Sequence, residues 1–217
     1  MINNNYYKHY SFDLWLTLIK SNKDFKLNRS LLFKDFFGIN KDVESVHDVI
    51  KYYDNTCNSI NEITGGNIDT FEIYLLILNH FNVKTNLNEL ADFYNETEKL
   101  FFNYPPELIN KELLNLLFEI NNQGKTANVL SNTGFIKGKT MRNYLENVNI
   151  LKYFDFQIFS DEVNISKPNS KIFDLMISKI KGNIQLSEII HIGDNKIADY
   201  DSAIEYGINA YLIDYDK

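Results

Sequence analysis

The second half of the chain alternates between short apolar segments and longer segments with helical periodicity, and this alternation is its most constraining feature. Four apolar segments follow Pro105-Pro106 at intervals of about 30 residues, with a helix predicted between successive ones. Strands separated by helices in this way form a parallel sheet that helices cover on both faces. The pattern therefore predicts a doubly wound α/β domain. The predicted strands are 127–130, 156–159, 189–192 and 210–213, and the predicted helices are 107–122, 136–147, 170–181 and 197–206.

A different pattern fills the first half of the chain. An aromatic segment at 8–15 predicts a buried strand that ends near Asp13 and belongs with the sheet. Residues 20–104 predict helices alone, so we expect an α/β core of residues 1–19 and 105–217, interrupted by an all-helical insert of residues 20–104. Asn28 and Asn40 are the predicted N-caps of its first two helices, and Gly65-Gly66 ends the second. The four helices are predicted at 29–37, 41–63, 71–81 and 89–102.

Charge and composition exclude several classes of protein for this 217-residue chain. Twenty-nine acidic against 22 basic side chains give a net charge of -7, which argues against nucleic-acid and anionic-membrane partners. The longest strongly apolar segment, 73–78, is far shorter than the roughly 20 residues that cross a bilayer. Residues 1–10 lack the features of a secretion signal, and Cys57 is the single cysteine, which excludes an internal disulfide. We therefore expect a reduced, cytoplasmic setting.

Polar side chains follow the carboxyl ends of the predicted strands. In an open parallel sheet, ligands bind beyond these ends. Asp13 and Thr17 follow the first strand, and the segment 131–134 (Ser-Asn-Thr-Gly) follows the second. Lys167-Pro168 opens a helix, and the segment 193–195 (Gly-Asp-Asn) follows a later strand, with Asp199 beyond it. The topology predicts that these groups meet in one site.

Four segments in order carry a family resemblance: FDLWLTL at 12–18, VLSNTG at 129–134, SKPNSKIF at 166–173 and IIHIGDNKIADYDSA at 189–203. They resemble the four motifs of the haloacid dehalogenase (HAD) superfamily and span nearly the whole chain. The resemblance implies a Rossmann-like core, with the helical insert acting as a cap over the substrate.

The resemblance also implies catalytic roles. Asp13 is the expected nucleophile, attacking phosphorus or carbon to form an aspartyl intermediate. Thr17 is expected to hold Asp13 or its loop, and Lys167 to neutralise charge between nucleophile and target. Ser131 is expected to bind the transferring group, together with the backbone N–H groups of Asn132, Thr133 and Gly134.

A metal ion is implied by the acidic residues. Gathering Asp194 and Asp199 around Asp13 costs several kcal/mol in repulsion unless a cation lies among them, and oxygen ligands favour Mg²⁺. In the family pattern Asp13, Asp194 and the backbone carbonyl of Trp15 bind the ion. Asp199 completes the acidic set by orienting a metal-bound water or Lys167. His191 is interpreted as a hydrogen-bonded strand residue and not a ligand.

One departure from the family pattern bears on activity. The superfamily's phosphatases and mutases have, two residues after the nucleophile, an aspartate that protonates the leaving group; here that residue is Trp15, and Leu16 replaces a common glycine. General acid–base assistance contributes about 10²- to 10⁴-fold, so its loss changes what is turned over. The helical insert offers four candidates for a replacement acid: Tyr52, Tyr53, Glu62 and His80.

Three functions remain open at this point. The first is Mg²⁺-dependent hydrolysis of a small phosphorylated metabolite. The second is dehalogenase-like attack on carbon. Against it, the first loop of this chain has no arginine to receive halide and carboxylate, unless Arg29 folds back. The third is a HAD fold that binds a phosphorylated ligand or a partner protein without turnover. Substrate identity and oligomeric state are left open by the sequence.

Overall fold

The structure, a computed structural model, describes residues 6–109 and 111–213 and contains a five-stranded parallel sheet in the order β5-β4-β1-β6-β7. All five predicted strands are confirmed, although β1 is shorter than the aromatic segment 8–15 that predicts it. The strands of the described chain are β1 (His9–Phe12), β2 (Ile19–Lys20), β3 (Glu107–Leu108), β4 (Thr126–Ser131), β5 (Phe156–Phe159), β6 (Ile189–Gly193) and β7 (Asn209–Leu212).

The central position of β1 determines where the site forms. β1 pairs in parallel with β4 on one side and with β6 on the other, with His9 opposite both Thr126 and Ile189. All three strands therefore end at the same edge of the sheet. Asp13 follows β1 directly, so it lies at the middle of the carboxyl edge, where the strand order places a ligand crevice.

Four helices lie between β2 and β3, where the sequence predicts an all-helical insert. They pack around an aromatic core in which Phe33, Tyr74 and Phe93 have ring centroids 5.0 to 6.0 Å apart. Edge-to-face rings at this spacing add to the free energy gained from burial. The helices are α1 (Lys23–Phe36), α2 (Val43–Thr64), α3 (Thr70–His80) and α4 (Leu87–Asn103).

The predicted N-caps of α1 and α2 are wrong. Asn22 caps α1 by accepting from Asp24 N–H, and the amide of Asn28 lies inside the helix, donating to the Asp24 carbonyl. Asp42 caps α2 in place of Asn40, because its carboxylate accepts from Ser45 N–H at 2.8 Å. The predicted end of α2 is confirmed at Gly65, whose φ of +65° is the left-handed conformation that glycine adopts without strain.

Helices cover both faces of the sheet, as the sequence predicts. Tyr10, Phe12 and Val129 face the cluster under α5 and α6, whereas Leu130 and Ile158 face the cluster under α8 and α9. Alternate residues of β4 therefore enter different clusters, as the two-residue period of a strand requires. The remaining helices are α5 (Lys111–Asn122), α6 (Gly138–Asn147), α7 (Ser160–Val163), α8 (Ser170–Lys179) and α9 (Ser202–Tyr206).

The structure corrects two of the predicted helix bounds. Residues 107–108, predicted as the start of a helix, form β3 and pair antiparallel with β2, so that the two chain segments entering and leaving the helical insert lie side by side. The predicted helix 197–206 is instead a π-helical turn at Lys196–Asp201 followed by α9. Asn195 begins the turn by accepting from Ile197 and Ala198 N–H. Within the described residues, no helix has the length and apolar content needed to span a bilayer.

Candidate active site

Three carboxylates meet at the carboxyl edge of the sheet. Asp13 follows β1, Asp194 follows β6, and Asp199 lies in the π-helical turn; each offers an oxygen within 4.8 Å of the others. π-Helical turns are rare and often occur at functional sites. Here the wider turn brings the Asp199 carboxylate back to within 3.0 Å of the Asn195 backbone nitrogen.

Lys167 lies between two of these carboxylates. Its Nζ donates to Asp13 Oδ1 at 2.9 Å, to Asp199 Oδ1 at 2.6 Å and to the Leu130 carbonyl at 2.6 Å, and the residue is only 1% exposed. All three donor positions of the ammonium group are used. A buried lysine of this kind stays charged because its partners compensate for the lost hydration, and the pKa of Lys167 is raised: burial would lower it, but Asp13 and Asp199 outweigh that effect.

Asn132 positions Lys167 from the end of β4. Its side-chain amide donates to the Lys167 carbonyl and accepts from the Lys167 backbone N–H, both at 2.9 Å. This pair of hydrogen bonds joins the loop after β4 to the segment that carries the lysine. Asn132 therefore has a structural task at the site, and its side chain also lines the cavity described below.

Asp199 is held by several donors besides Lys167. His191 Nε2 lies 3.1 Å from its Oδ1, and His191 Nδ1 lies 2.9 Å from the Ser11 hydroxyl, in agreement with the interpretation of His191 as a hydrogen-bonded strand residue. Burial alone would raise the pKa of Asp199, but Lys167 and His191 outweigh it and hold that pKa well below its ordinary value. Gly193 leaves room for this carboxylate, since a Cβ there would lie 2.1 Å from Asp199 Oδ2.

The charged forms of the other two carboxylates, Asp13 and Asp194, are disfavoured in this site. Burial raises the pKa of Asp13 to about 7; Lys167 opposes the shift, and the neighbouring charges of Asp199 and Asp194 add to it. Burial, followed by the charge of Asp199, raises the pKa of Asp194 to about 6, while the Thr17 hydroxyl acts to lower it. The cluster carries more negative charge than Lys167 neutralises.

A divalent cation fits this donor set. The oxygens are hard ligands, and Asp13 and Asp194 have raised pKa values that a nearby cation would lower. Asp199 is less suited to direct coordination, because its Oδ1 accepts from Lys167 and His191 and its Oδ2 from Asn195 N–H. The geometry thus separates two candidate ligands, Asp13 and Asp194, from a carboxylate occupied with positioning Lys167.

The sheet edge opens into a cavity of about 340 Å³ between the α/β core and the helical insert. This volume suits a small metabolite. Among the described residues, the core contributes seven polar lining residues and the insert contributes six charged or amide residues. In chain order these are Asp13, Lys26, Arg29, Asp54, Asn58, Asn61, Glu62, Asn132, Thr133, Lys167, Asp194, Asn195 and Asp199.

Hydrogen bonds join the insert to the core around the cavity. Glu62 accepts from the Asn195 side chain, Thr70 donates to the Gly134 carbonyl at 2.7 Å, and Ser160 donates to Asn67 at 2.6 Å. Each bond joins the insert to a strand end of the core. The helical insert therefore contacts the same loops that carry the candidate site.

Part of the predicted phosphate-binding loop lies elsewhere. Thr17 and Ser131 are buried and are not among the described residues that line the cavity. The Ser131 hydroxyl lies 3.3 Å from the Asn132 carbonyl. The Thr133 N–H, predicted to bind the transferring group, donates to the Ser160 hydroxyl at 2.8 Å, so in this structure it is not available to a ligand.

Trp15 lies where the family pattern has an acid. Its side chain lines the cavity and packs against the core cluster of the sheet. Leu16, at the position of a common glycine, is 54% exposed and has a φ of +55°, a left-handed conformation that costs a leucine about 1–2 kcal/mol. The loop after Asp13 thus keeps a backbone shape that favours glycine.

Sequence analysis names Arg29 only in the dehalogenase alternative and misses Asp54, and both residues belong to the insert. Arg29 and Asp54 both line the cavity, and Arg29, 7% exposed, lies with its guanidinium carbon 4.0 Å from the centre of the Phe135 ring. Burial lowers the pKa of Arg29, and the charge of Asp54 opposes the shift. A signal exists in the sequence: 54, 58, 61 and 62 are polar at helical spacing, which marks one face of α2.

The four candidate replacement acids have different positions. Glu62 lines the cavity but is bonded to Asn195. Tyr52 is 63% exposed, and Tyr53 packs edge to face against His80 at 6.1 Å within the insert. Among the residues described as lining the cavity, Tyr52, Tyr53 and His80 do not occur.

Comparison with known proteins agrees with this architecture. The Bacillus subtilis HAD-hydrolase YfnB, solved with magnesium bound, superposes with a TM-score of 0.70 at 15% identity, over 95% of this chain and 88% of that one. A predicted phosphoglycolate phosphatase from Haemophilus somnus gives a TM-score of 0.67 at 17% identity, over 99% and 88%. L-2-haloacid dehalogenase from Xanthobacter autotrophicus gives 0.62 at 16% identity, over 95% and 77%. At these identities the likeness shows the fold.

Sequence comparison identifies the family. Pyrimidine 5'-nucleotidase YjjG of Escherichia coli (strain K12) is 40% identical over 68 residues, which are 31% of this chain and 28% of that protein. The Rhythmically expressed gene 2 protein of Drosophila melanogaster is 38% identical over 71 residues, or 32% and 27%. These matches span less than a third of the relatives' length. The family model for haloacid dehalogenase-like hydrolases, however, matches residues 12–213. The chain therefore belongs to the haloacid dehalogenase-like hydrolase family.

Proposed function

We propose that the protein is a Mg²⁺-dependent phosphatase that hydrolyses a small phosphorylated metabolite through an aspartyl intermediate on Asp13. The observation that carries the proposal is the contact of Asp13 with Lys167 at the cavity, next to Asp194 and Asp199. A carboxylate nucleophile needs compensation for the charge of a phosphoryl group, and this cluster supplies it.

Each residue of the cluster has a role in the proposal. Asp13 attacks phosphorus, and the Lys167 ammonium neutralises charge on the phosphoryl oxygens. Asp199 holds Lys167 in place through the 2.6 Å hydrogen bond. Asp13, Asp194 and the backbone carbonyl of Trp15 are the proposed Mg²⁺ ligands, and the ion, when bound, supplies further positive charge to the phosphoryl group.

The cavity supports a small substrate. Its volume is about 340 Å³, and hydrogen bonds join the insert to the core around it. We propose that residues 20–104 act as a cap domain over a core of residues 1–19 and 105–217. The names of one sequence relative, a pyrimidine 5'-nucleotidase, and one structural relative, a HAD phosphatase from Thermococcus onnurineus, support a phosphorylated substrate.

A second candidate function has one observation in its favour. Dehalogenase-like attack on carbon calls for a cation to receive the leaving halide or the substrate carboxylate, and Arg29 lines the cavity with Asp13. The acidic cluster argues against this function, because the cluster suits a metal ion and an attack on carbon needs none. A HAD fold that binds ligands without turnover is the third candidate, and it rests on Trp15 and Leu16.

A substrate panel distinguishes the three. Purified protein is assayed with an acyl phosphate, an aryl phosphate and a 2-haloacid, each with and without Mg²⁺. Asp13→Asn is the test variant, and Asp35→Asn, an exposed aspartate of α1, is its matched control. The proposal expects Mg²⁺-dependent phosphate release that Asp13→Asn abolishes and Asp35→Asn keeps. Metal-independent halide release supports the dehalogenase, and ligand binding without any turnover contradicts both enzymatic functions.

A further inference from the structure

Among the described residues, five carboxylates line the cavity and are candidates for the general acid: Asp13, Asp54, Glu62, Asp194 and Asp199. Four of them are committed elsewhere, since Asp13 and Asp199 bind Lys167, Asp194 belongs to the same cluster, and Glu62 accepts from Asn195.

Asp54 is the exception. Its carboxylate has neither a hydrogen bond nor an ion pair within 4.0 Å among the described residues, although the side chain is half-buried and lines the cavity. Charged neighbours face it from α1, where Arg29 and Lys26 both act to lower its pKa. A carboxyl group without a hydrogen-bond partner that lines a cavity is available to a bound molecule.

Asp54 lies close to the loop that follows β4. Asp54 Oδ1 lies 3.8 Å from the point where a Cβ on Gly134 would lie. Gly134 belongs to the loop after β4, the same loop in which Asn132 holds Lys167. The carboxyl group of Asp54 therefore lies beside the loop after β4, which the family resemblance predicts to bind the transferring group.

The environment of Asp54 favours proton transfer. Burial raises the pKa of Asp54, and the charges of Arg29 and Lys26 offset only part of the shift. A carboxyl group with a raised pKa keeps its proton closer to neutral pH and donates it more effectively to a departing oxygen.

We propose that Asp54, on α2 of the helical insert, is the general acid–base of this enzyme. It would take the role of the family's second aspartate, whose position Trp15 occupies in this chain. This inference rests on the proposed phosphatase function.

In the first step of the proposed reaction, an Asp13 oxygen bonds to phosphorus and the bond from phosphorus to the leaving oxygen breaks. Protonated Asp54 gives that oxygen its proton, which releases an alcohol. In the second step the Asp54 carboxylate takes a proton from water, whose oxygen bonds to phosphorus. The bond to Asp13 then breaks, inorganic phosphate leaves, and both carboxyl groups return to their initial states.

The test compares leaving groups. With saturating Mg²⁺, wild type and Asp54→Asn are assayed on an alkyl phosphate, an aryl phosphate and an acyl phosphate, and kcat and KM are separated. An alkyl leaving group needs a proton most, so Asp54→Asn is expected to lower kcat for the alkyl phosphate about 10²- to 10⁴-fold. The loss in the phosphorylation step is expected to be smallest for the acyl phosphate, which should show a burst of product before slow turnover.

Control variants separate catalysis from structure. Asp48→Asn is the same change at an exposed position of α2 and is expected to behave as wild type. Asp54→Glu keeps a carboxyl group and is expected to restore part of the lost rate. In the Asp54→Asn background, Trp15→Asp returns an acid to the family position and is expected to recover alkyl phosphate hydrolysis. Thermal unfolding of each variant checks that it is folded.

Two results would overturn the proposal, and they are distinguishable from failure of the proposed function. One is an Asp54→Asn enzyme with unchanged kcat on the alkyl phosphate. The other is an equal loss on all three substrates, without a burst, which assigns Asp54 a structural or binding role. Either result leaves the wild-type phosphatase activity intact. A wild type that hydrolyses none of the phosphates overturns both the proposed function and the role of Asp54.

Discussion

Lys167 Nζ lies 2.9 Å from Asp13 Oδ1, although 154 positions separate the two residues in the chain. The contact forms because β1 is central in the sheet and Asn132, at the end of the adjacent β4, binds the backbone of Lys167. It places a buried cation against the candidate nucleophile.

Removing the ammonium group is expected to destabilise the metal-free protein. Lys167→Met leaves the buried carboxylates of Asp13 and Asp199 without their cation, which should cost about 3–5 kcal/mol of unfolding free energy. Urea unfolding measures the loss, and Lys171→Met, at an exposed position four residues on, is the matched control. Added Mg²⁺ should recover part of the stability of Lys167→Met. A cost below about 1 kcal/mol, the level of an exposed ion pair, would contradict this account.

Asp194→Asn is expected to weaken Mg²⁺ binding at least about tenfold, because it removes one of two charged candidate ligands. Isothermal titration calorimetry on the folded variant measures the dissociation constant. Asp201→Asn is a suitable control, since Asp201 pairs with Lys196 at 2.6 Å outside the cavity. An unaltered affinity in Asp194→Asn would remove this residue from the proposed ligand set.

His9 is expected to make stability depend on pH. Burial lowers the pKa of His9 to about 4, with hydrogen bonding to Asn128 opposing the shift. Below pH 6.5 the unfolded chain binds a proton at His9, whereas His9 in the folded protein stays neutral. The free energy of unfolding therefore falls as the pH falls toward 4. This pKa shift corresponds to a loss of roughly 3 kcal/mol of unfolding free energy, once the pH has fallen through the pKa of the folded state. Between pH 7 and 4, the unfolding free energy of His9→Gln should fall less steeply than that of wild type; parallel curves would refute the assignment.

Two glycines with the same backbone conformation allow a controlled test of the contact between insert and core. Gly65 and Gly38 have φ of +65° and +64°, so alanine should cost each about 1–2 kcal/mol through strain. At Gly65 the added Cβ would also lie 2.7 Å from Asn169 Cβ, whereas at Gly38 it meets nothing within 4 Å. Thermal unfolding should therefore show a larger loss for Gly65→Ala. Equal losses would mean that this contact is absent in solution.

The sheet and its helices are predictable because their signals are local. Apolar strands near 30-residue spacing specify the order of elements, and Gly65 ends a helix by its own conformational freedom. The N-caps of α1 and α2 were less determined, because Asn22, Asn28, Asn40 and Asp42 are all good capping residues and only tertiary packing selects among them. The ribbon of β2 and β3 joins residues 87 and 89 positions apart and is too short to leave a periodic signal.

The core side of the site is predictable for the same reason, and the insert side is not. Asp13, Lys167, Asp194 and Asp199 follow strand ends or helix starts, where topology alone brings side chains together. Arg29 and Asp54 reach the cavity only through the way α1 and α2 pack against the core, which no short motif encodes. The expected role of Thr17 and Ser131, the cytoplasmic setting and the absence of nucleic-acid and membrane partners stay predictions.

The most direct measurement of the central claim is to trap the covalent intermediate. Wild type and Asp54→Asn are mixed with an acyl phosphate and Mg²⁺, quenched in acid and analysed by peptide mass spectrometry. The account predicts one phosphoryl group on the peptide that contains Asp13, with greater occupancy in Asp54→Asn, and none in Asp13→Asn. Turnover of the acyl phosphate by Asp13→Asn at the wild-type rate, or a phosphoryl group on another residue, would contradict it.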